Sequence, residues 1–345
     1  VSSGGTESIL LAMKTYRDYA LEVKGIKNPE MVVPVTAHAA FHKAAQFFRI
    51  KLKLVSFDQD YRANLSEIKK AITRNTIVIV VSAPTFPHGV IDPIEDVSAL
   101  GLEKGVPVHV DACLGGFVLP WAKKLGYGVP AFDFSLPGVT SISVDTHKYG
   151  FAPKGTSVVL YRGEDLRSYQ YFTITDWPGG LYFSPTLAGS RPGALSATCW
   201  ATLVTMGEKG YLEACGKILE TASKIKKGIS TIPELKILGK PLWNIAFDSD
   251  QVNIYQVMDQ MTKKGWILNG LHKPSCVHIC VTLMQTKEGI ADSFIYDLQQ
   301  AVLDVKEGRC ESEGFAPIYG MAASVPFRGT VSTLLKKYMD VLYKA

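Results

Sequence analysis

Apolar residues follow two different spacings along the first half of the chain. Short runs of apolar, mostly β-branched residues predict buried strands, and stretches with an apolar residue every three or four positions predict helices between them. Strands are expected at Met31–Val35, Leu52–Val55, Ile77–Val81, Val106–Val110, Val139–Val144 and Thr156–Tyr161. Helices are expected at Ser8–Val23, His38–Phe48, Leu65–Thr73 and Pro93–Lys104. Strands that alternate with helices predict an α/β fold with a mostly parallel sheet covered on both faces.

The pattern changes in the second half of the chain. A long helix is expected around Gly193–Gly210. Two helices and three short strands follow, the strands at Leu235–Leu238, Asn244–Phe247 and Val277–Leu283. We therefore expect two domains, a large α/β domain over residues 1–225 and a small α+β domain over residues 226–345.

The first eight residues are typical of a strand end that runs directly into a helix. Natural domains seldom begin inside such a motif. We therefore expect a longer parent protein, with an N-terminal part that precedes Val1.

Composition and charge narrow the class of protein. The chain has 345 residues, of which 47% are hydrophobic and 20% charged, enough for a large core. The net charge of +5 comes from scattered basic residues, which favours anionic substrates slightly and argues against a nucleic-acid partner. Six cysteines are too few for a disulfide scaffold in a chain of this length and favour a reducing compartment. The apolar run Ile77–Val81 is too short to span a membrane.

One group of cysteine and histidine residues resembles a metal site at first sight. Cys276, His278 and Cys280 alternate along a predicted strand, so all three lie on one of its faces. A second pair with the spacing of zinc ligands is missing from the sequence, and we expect no metal.

Chemically active side chains follow several predicted strands. Asp111, His88 and the pair His147 and Lys148 each come shortly after a strand, and Gly4–Thr6 opens the first helix. Because the carboxyl ends of parallel strands meet at one edge of a sheet, these residues are expected to lie close together.

This set matches the needs of pyridoxal phosphate. The cofactor needs a lysine amine that holds its aldehyde as an imine, and Lys148 provides one. It needs a carboxylate at its ring nitrogen, and Asp111 ends a buried strand where a charge requires a partner. Its phosphate needs an anion site, which Gly5 and Thr6 provide at the start of a helix.

Six segments carry a resemblance to a known family. They are Ser3–Ser8, Ala37–Phe41, Phe86–Pro93, His109–Gly116, Asp145–Gly155 and Ser184–Gly193. With them the chain resembles the fold-type I pyridoxal-phosphate enzymes in the group of the amino-acid decarboxylases, and more closely the sphingosine-1-phosphate lyase family. Ile318–Ala322 extends the similarity almost to the C-terminus.

The resemblance implies a type I aminotransferase-like fold and assigns the cofactor contacts. His38 would lie flat against the pyridine ring, and His147 would contact the cofactor phosphate together with Gly5 and Thr6. Ser190 would reach the cofactor phosphate of the neighbouring subunit, so that a homodimer would build each site from two chains.

The resemblance also assigns the substrate contacts. Lys154 would bind a phosphate carried by the substrate, since a second lysine after Lys148 has no obvious duty toward the cofactor. His88 and Tyr182 are the other expected substrate-binding residues. Lys148, Asp111, His38 and Lys154 would therefore be the catalytic residues.

The implied reaction is retro-aldol cleavage of sphingosine 1-phosphate or dihydrosphingosine 1-phosphate to a long-chain aldehyde and phosphoethanolamine. Four candidates stay open for the base that removes the hydroxyl proton: Lys148, Lys154, His88 and the substrate phosphate. Two other functions are considered, a pyridoxal-phosphate-dependent amino-acid decarboxylase and a cofactor-free homologue that acts only as a binding partner. A eukaryotic parent would be located at the endoplasmic reticulum membrane facing the cytosol, anchored outside this chain, and another parent would be cytoplasmic.

Overall fold

The computed structural model describes residues 1–309 and 328–344. Cys310 and the segment Ile318–Ala322 lie outside the described residues. The chain forms two compact units: unit 1 consists of Val1–Glu220 with Gly239–Trp243, and unit 2 consists of Thr221–Leu238 with the described residues after Trp243.

A six-stranded sheet forms the centre of unit 1. Its strands are β1 (Glu30–Pro34), β2 (Lys51–Val55), β3 (Thr76–Ser82), β4 (Val108–Asp111), β5 (Val139–Val144) and β6 (Val158–Tyr161). They lie in the order β2-β1-β3-β4-β5-β6, in which β1 to β5 are parallel and β6 is antiparallel to β5. Every residue of β1, β3 and β4 is buried, as expected for parallel strands with both faces covered.

Helices and a hairpin complete unit 1. The helices are α1 (Gly5–Lys24), α2 (Ala40–Phe48), α3 (Leu65–Ala71), α4 (Ile94–Lys104), α5 (Leu119–Lys124) and α6 (Glu164–Ser168). A two-stranded hairpin pairs β7 (Phe172–Ile174) with β8 (Tyr182–Ser184). Helix α7 (Gly193–Ser230) continues into unit 2 and is interrupted at Gly207, whose φ of 53° is not helical.

Unit 2 contains an antiparallel sheet and helices. Its strands are β9 (Lys236–Ile237), β10 (Asn244–Asp248), β11 (Asn269–Leu271) and β12 (Cys276–Cys280), in the order β11-β12-β10-β9. Its helices are α8 (Ile254–Lys263), a 3₁₀ turn (Leu283–Thr286), α9 (Ile290–Lys306) and α10 (Arg328–Leu342). None of the helices in the described part of the chain combines the length and the apolar character that crossing a membrane requires.

The predicted mostly parallel α/β sheet is confirmed, and its strand limits differ from the predicted ones for identifiable reasons. Strand β4 begins at Val108 and not at Val106, because Pro107 has no N–H group to donate to a neighbouring strand. Helix α7 continues 20 residues past the predicted end at Gly210 because its second half, with Ile218 and Ile225 buried, packs an apolar face.

The register of the sheet brings the ends of three strands level. Ser82 of β3 pairs with Asp111 of β4, and Asp111 pairs with Ser143 of β5. The backbone N–H of Ala83 donates to the Asp111 carbonyl at 2.9 Å. The segments that follow these strands therefore leave the sheet at one edge, as the sequence predicts.

A buried carboxylate braces the loop after β3. Asp92 is 2% exposed, and its two oxygens accept hydrogen bonds from the backbone N–H groups of Ala63 and Ser82, each at 2.8 Å. Burial raises the pKa of Asp92 to about 7, although these two hydrogen bonds act in the opposite direction.

The Asp92 pKa makes the stability of the fold depend on pH. The folded-state pKa lies above the unfolded value, so the folded protein favours the protonated form of Asp92. The contribution of this form to the free energy of unfolding is full below about pH 4 and is lost as the pH rises through about 7. Asp92→Asn removes this dependence. We compare the free energies of unfolding of the wild type and of Asp92→Asn. The wild-type value relative to the variant should fall by about 3–4 kcal/mol between pH 4 and pH 8.

Urea unfolding of both proteins at pH 4, 6 and 8 measures this difference. Asp96→Asn, at an exposed position on α4, is the control for replacing any aspartate in this region. A wild-type advantage that stays constant or grows with pH would contradict the assignment.

Candidate active site

A cavity of about 460 Å³ opens at the carboxyl ends of β3, β4 and β5 in unit 1. Its lining consists of residues 3–7, Ile9, His38, Pro84, Phe86, Asp111, Cys113, Leu114, Asp145, His147, Lys148, Lys154 and Gly155. Seven of the predicted site residues lie together here: Gly5, Thr6, His38, Asp111, His147, Lys148 and Lys154. Strand order and register are what bring them together, because they come from four separate segments of the chain.

The amine of Lys148 is paired with a buried carboxylate. Asp145 follows β5 directly and is 2% exposed, and its Oδ2 lies 2.9 Å from the Lys148 Nζ. Burial by itself lowers the pKa of Lys148, but Asp145, with a smaller effect from Asp111, outweighs it and raises that pKa above the ordinary value. In the cofactor-free protein Lys148 is therefore an ammonium group at neutral pH.

Asp111 presents one oxygen to the protein and one to the cavity. Its Oδ1 accepts the backbone N–H of Cys113 and the hydroxyl of Ser143, each at 3.1 Å. Its Oδ2 makes no hydrogen bond to a backbone N–H or a hydroxyl group within the described part of the chain, while the carboxylate lines the cavity. Burial, and then the charges of Asp111 and Asp145, raise the pKa of the Cys113 thiol well above its usual range. The Cys113 thiol is therefore uncharged at neutral pH where it lines the cavity.

The start of helix α1 closes another side of the cavity. Its first backbone N–H groups, including those of Gly5 and Thr6, have no partner within the helix and form a ready anion site. A Cβ atom at Gly5 would lie 2.8 Å from both carboxylate oxygens of Asp145, so only glycine allows this close approach. Ser2 exchanges two backbone hydrogen bonds with Ser157 and fixes the segment that leads into the helix.

Two histidines of the cavity are held by backbone groups. The Nδ1 of His38 accepts the N–H of Ala40 at 3.1 Å, and Phe86 meets the His38 ring edge-on, at 83° between planes. The Nδ1–H of His147 donates to the carbonyl of Thr156 at 2.5 Å. In each ring Nε2 is thus the nitrogen left for other contacts.

Three predicted site residues lie outside this cavity. His88 is 2% exposed and packs against the stacked rings of Phe57 and Tyr61. Tyr182 lies on the exposed hairpin strand β8, and Ser190 lines a second surface cavity beside the first. Their roles toward the cofactor and substrate stay predictions.

Sequence reasoning missed two charged residues that line the cavity, Asp145 and Glu7. For Asp145 the signal was present, because it follows β5 directly just as Asp111 ends β4. Within residues 1–309 and 328–344, no group of three or more His, Cys, Asp or Glu side chains is arranged to hold a metal ion.

The residues of the cavity fit pyridoxal phosphate. Lys148 can hold its aldehyde carbon, the free Oδ2 of Asp111 can accept a hydrogen bond from its protonated ring nitrogen, and the N-terminus of α1 can bind its phosphate. These are the three contacts expected from the sequence, and they stay proposals for the individual residues.

Comparisons with known proteins agree with this geometry. Residues 1–248 match the family model described as pyridoxal-dependent decarboxylase conserved domain. A sphingosine-1-phosphate lyase of Arabidopsis thaliana is 52% identical over 99% of this chain, and one of Rattus norvegicus is 48% identical over 99%. The chain spans 63% and 61% of the length of these two relatives, which is less than two thirds.

Solved structures show the same relationship. A sphingosine-1-phosphate lyase of Burkholderia pseudomallei superposes with a TM-score of 0.92 at 42% identity, covering 100% of this chain and 74% of that one. A glutamate decarboxylase of Lactobacillus brevis, at 22% identity and a TM-score of 0.77, covers 89% of this chain and 74% of that one and shares the fold.

The fold and the family match define a pyridoxal-phosphate enzyme of fold type I, as predicted. The chain belongs to the pyridoxal-dependent decarboxylase family, and within that family it is similar to the sphingosine-1-phosphate lyases. Pyridoxal phosphate, the predicted cofactor, is the cofactor of this family.

The ion pair between Asp145 and Lys148 leads to a test on the cofactor-free protein. Asp145→Asn removes the main attraction that raises the Lys148 pKa and leaves the effect of burial, so this pKa should fall below its ordinary value. Acylation of Lys148, followed by mass spectrometry across pH 6 to 11, measures the change. Asp259→Asn, at a buried aspartate in unit 2, is the control. An unchanged or raised Lys148 pKa in Asp145→Asn would show that Asp145 is not its counterion.

Proposed function

We propose that this protein cleaves a phosphorylated sphingoid base, such as sphingosine 1-phosphate or its dihydro form, to a long-chain aldehyde and phosphoethanolamine. The main support is the similarity to sphingosine-1-phosphate lyases over nearly the whole chain. The single structural observation that supports it is a second cation, Lys154, in the cavity that holds Lys148 and Asp111.

The proposed roles follow from the contacts in the cavity. Pyridoxal phosphate, when bound, supplies an aldehyde that joins to amines and a ring that accepts electrons from the bond to be broken. Asp111 would hold a proton on the ring nitrogen through its Oδ2, and the start of α1 with His147 would hold the cofactor phosphate. Lys148 would hold the cofactor aldehyde, and Asp145, 2.9 Å away, would stabilise its ammonium group whenever the amine is free.

The proposed cleavage is balanced without water or an oxidant. The hydroxyl at C3 of the substrate loses its proton and becomes the aldehyde, the C2–C3 bond breaks, and C2 gains a proton. Lys148, Lys154 and the substrate phosphate stay candidates for the base. His88 is buried behind the cavity wall, which favours the other three.

The cation supplied by Lys154 distinguishes this function from amino-acid decarboxylation. Lys154 is exposed toward the cavity and has no ion pair within the described residues. A substrate phosphate brings up to two negative charges into the cleft, and these need a cationic partner. The amino-acid substrate of a decarboxylase carries no such phosphate. Lys154 would therefore have no role if the protein were an amino-acid decarboxylase.

We also propose a homodimer in which Ser190 completes the site of the neighbouring subunit. Large apolar side chains on and beside the β7–β8 hairpin are exposed: Phe172, Trp177, Leu181 and Phe183 by 51 to 77%. An apolar patch of this kind is typical of a surface covered by a partner. Location at the endoplasmic reticulum membrane, for a eukaryotic parent, rests only on the resemblance and stays a prediction.

Replacement of Lys154 tests the proposed substrate. Lys154→Ala should keep the visible spectrum of the bound cofactor, while kcat/KM for the phosphorylated sphingoid base falls about ten- to a few hundred-fold, the loss of one charge-assisted contact. Analysis of the aldehyde and phosphoethanolamine products measures the rate. The unphosphorylated base should be a poor substrate and should respond little to the mutation.

Two controls accompany this experiment. Lys27→Ala replaces an exposed lysine outside the cavity and should have no effect, and Lys154→Arg should recover part of the activity. Equal losses on both substrates, or loss of the cofactor spectrum, would rule out the phosphate role. Carbon dioxide released from an amino acid, without aldehyde from a sphingoid base, would favour the decarboxylase.

The proposed dimer can be tested with mixed subunits. Lys148→Ala and Ser190→Asp chains should each be inactive alone. Mixed dimers should recover about one quarter of the wild-type activity, since half of the dimers are hybrids and each hybrid has one intact site. Lys148→Ala mixed with Asp111→Ala is the control and should recover nothing, because both residues belong to the same chain's cavity. A monomeric, fully active protein would rule out the shared site.

A further inference from the structure

A line of buried polar groups runs through the sheet behind the cavity and ends at Asp111. The Ser143 hydroxyl lies 3.1 Å from the Asp111 Oδ1 and 3.2 Å from the His109 Nε2. On the other side of the ring, His109 Nδ1 lies 2.7 Å from the Ser141 hydroxyl, which contacts the Tyr16 hydroxyl at 2.5 Å. His109, Ser141, Ser143 and Tyr16 are each 0% exposed, so their hydrogen-bond partners are protein groups.

The line continues to a backbone carbonyl at its far end. The Tyr16 hydroxyl also contacts the Thr140 hydroxyl at 2.7 Å, and the Thr140 hydroxyl lies 3.1 Å from the Val108 carbonyl. Both ends of the line, a carboxylate and a carbonyl, are groups that only accept hydrogen bonds. Every hydrogen must therefore come from the five groups between them.

The number of hydrogens limits how the line can be arranged. Burial lowers the pKa of His109 to about 4 and raises that of Tyr16 to about 12, so at neutral pH the ring carries one hydrogen and the phenol keeps its own. The three other hydroxyl groups carry one hydrogen each. Five hydrogens cannot fill the six links of the line, and one link must lack a hydrogen bond.

The charge on Asp111 decides where the missing hydrogen falls. A hydrogen bond to a buried carboxylate contributes roughly twice as much as one between neutral groups, so the link from Ser143 to Asp111 is kept. With Ser143 donating to Asp111, a missing hydrogen on either side of His109, or between Ser141 and Tyr16, would leave fully buried groups facing each other without a hydrogen bond. The gap costs least beside the half-buried Thr140 hydroxyl, which donates to the Val108 carbonyl. Ser143 then accepts from His109 Nε2–H, His109 Nδ1 accepts from Ser141, and Ser141 accepts from Tyr16.

We propose that His109, Ser143, Ser141 and Tyr16 form a one-directional hydrogen-bond relay that holds Asp111 by its Oδ1 and leaves Oδ2 for the cofactor ring nitrogen. His109 is a positioning residue in this relay, fixed as the Nε2–H tautomer, and it acts on the cofactor only through Ser143 and Asp111. The inference rests on the proposed cofactor site and adds the groups that orient its carboxylate.

The tautomer of His109 tests the direction of the relay without any cofactor. Nitrogen NMR of the protein with ¹⁵N-labelled histidine should show His109 with its hydrogen on Nε2, unchanged between pH 8 and pH 5. The signal is assigned by its loss in His109→Gln. A hydrogen on Nδ1, or titration near the ordinary histidine pKa, would overturn the proposal.

Substitution tests the effect on the cofactor. Ser143→Ala and His109→Leu interrupt the relay and should raise the Kd for pyridoxal phosphate about ten-fold, as for one lost hydrogen bond to a charged group. His109→Gln should restore most of the affinity, because its amide can donate to Ser143 and accept from Ser141 in the sense of the Nε2–H tautomer. Visible absorption during cofactor titration measures Kd, and thermal unfolding checks that each variant is folded.

The control separates the relay from a general effect of a lost buried hydroxyl. Ser98 is 2% exposed and accepts the Gly138 N–H at 3.0 Å, outside the relay, so Ser98→Ala should leave Kd unchanged. Equal Kd values for wild type, Ser143→Ala and His109→Leu, or equal losses in His109→Leu and His109→Gln, would overturn the relay. Failure of the wild type to bind pyridoxal phosphate would reject the cofactor site itself, while the NMR result would still decide the direction of the hydrogen bonds.

Discussion

A negative charge buried at the end of a parallel strand is the constraint on which this site depends. Asp111 is 7% exposed, and an isolated carboxylate at that depth would be strongly unfavourable. Its charge is tolerated because the sheet register places Ser143 next to it, and because the turn after β4 directs the Cys113 N–H to the same oxygen. The carboxylate is therefore held by groups on one side only, and its other side is directed at the cavity.

A second buried carboxylate, that of Asp145, neutralises the positive charge of Lys148 in the cavity. Asp145 binds the Lys148 ammonium group and lies so close to helix α1 that a side chain at Gly5 is sterically excluded. The same few ångströms hold a cation, an anion and the positive end of a helix dipole. Such an arrangement favours a ligand with both an amine-reactive carbon and an anionic group, which describes pyridoxal phosphate.

The sheet and most of the cavity could be predicted from the sequence. Continuous β-branched runs such as Ile77–Val81 favour buried strands, and once the strands are parallel, the residues after them share an edge. Prediction failed where tertiary contacts decide. The sequence does not show that His88 turns inward against Phe57 and Tyr61 while Phe86, two residues earlier, faces the cavity. The hairpin of β7 and β8 has no buried face to give a periodic pattern, apart from Ser184.

The short segment Gly239–Trp243 is synthesised long after the loop that it packs against. It belongs to unit 1 although unit 2 residues precede and follow it, and Trp243, 1% exposed, meets the ring of Tyr149 edge-on at 5.6 Å. Tyr149 is the neighbour of Lys148 in the chain. On a ribosome that synthesises the chain from its N-terminus, the wall behind this lysine stays incomplete until about a hundred further residues have been added. The nascent chain therefore passes through a period in which the loop that carries Lys148 lacks its buried tryptophan neighbour.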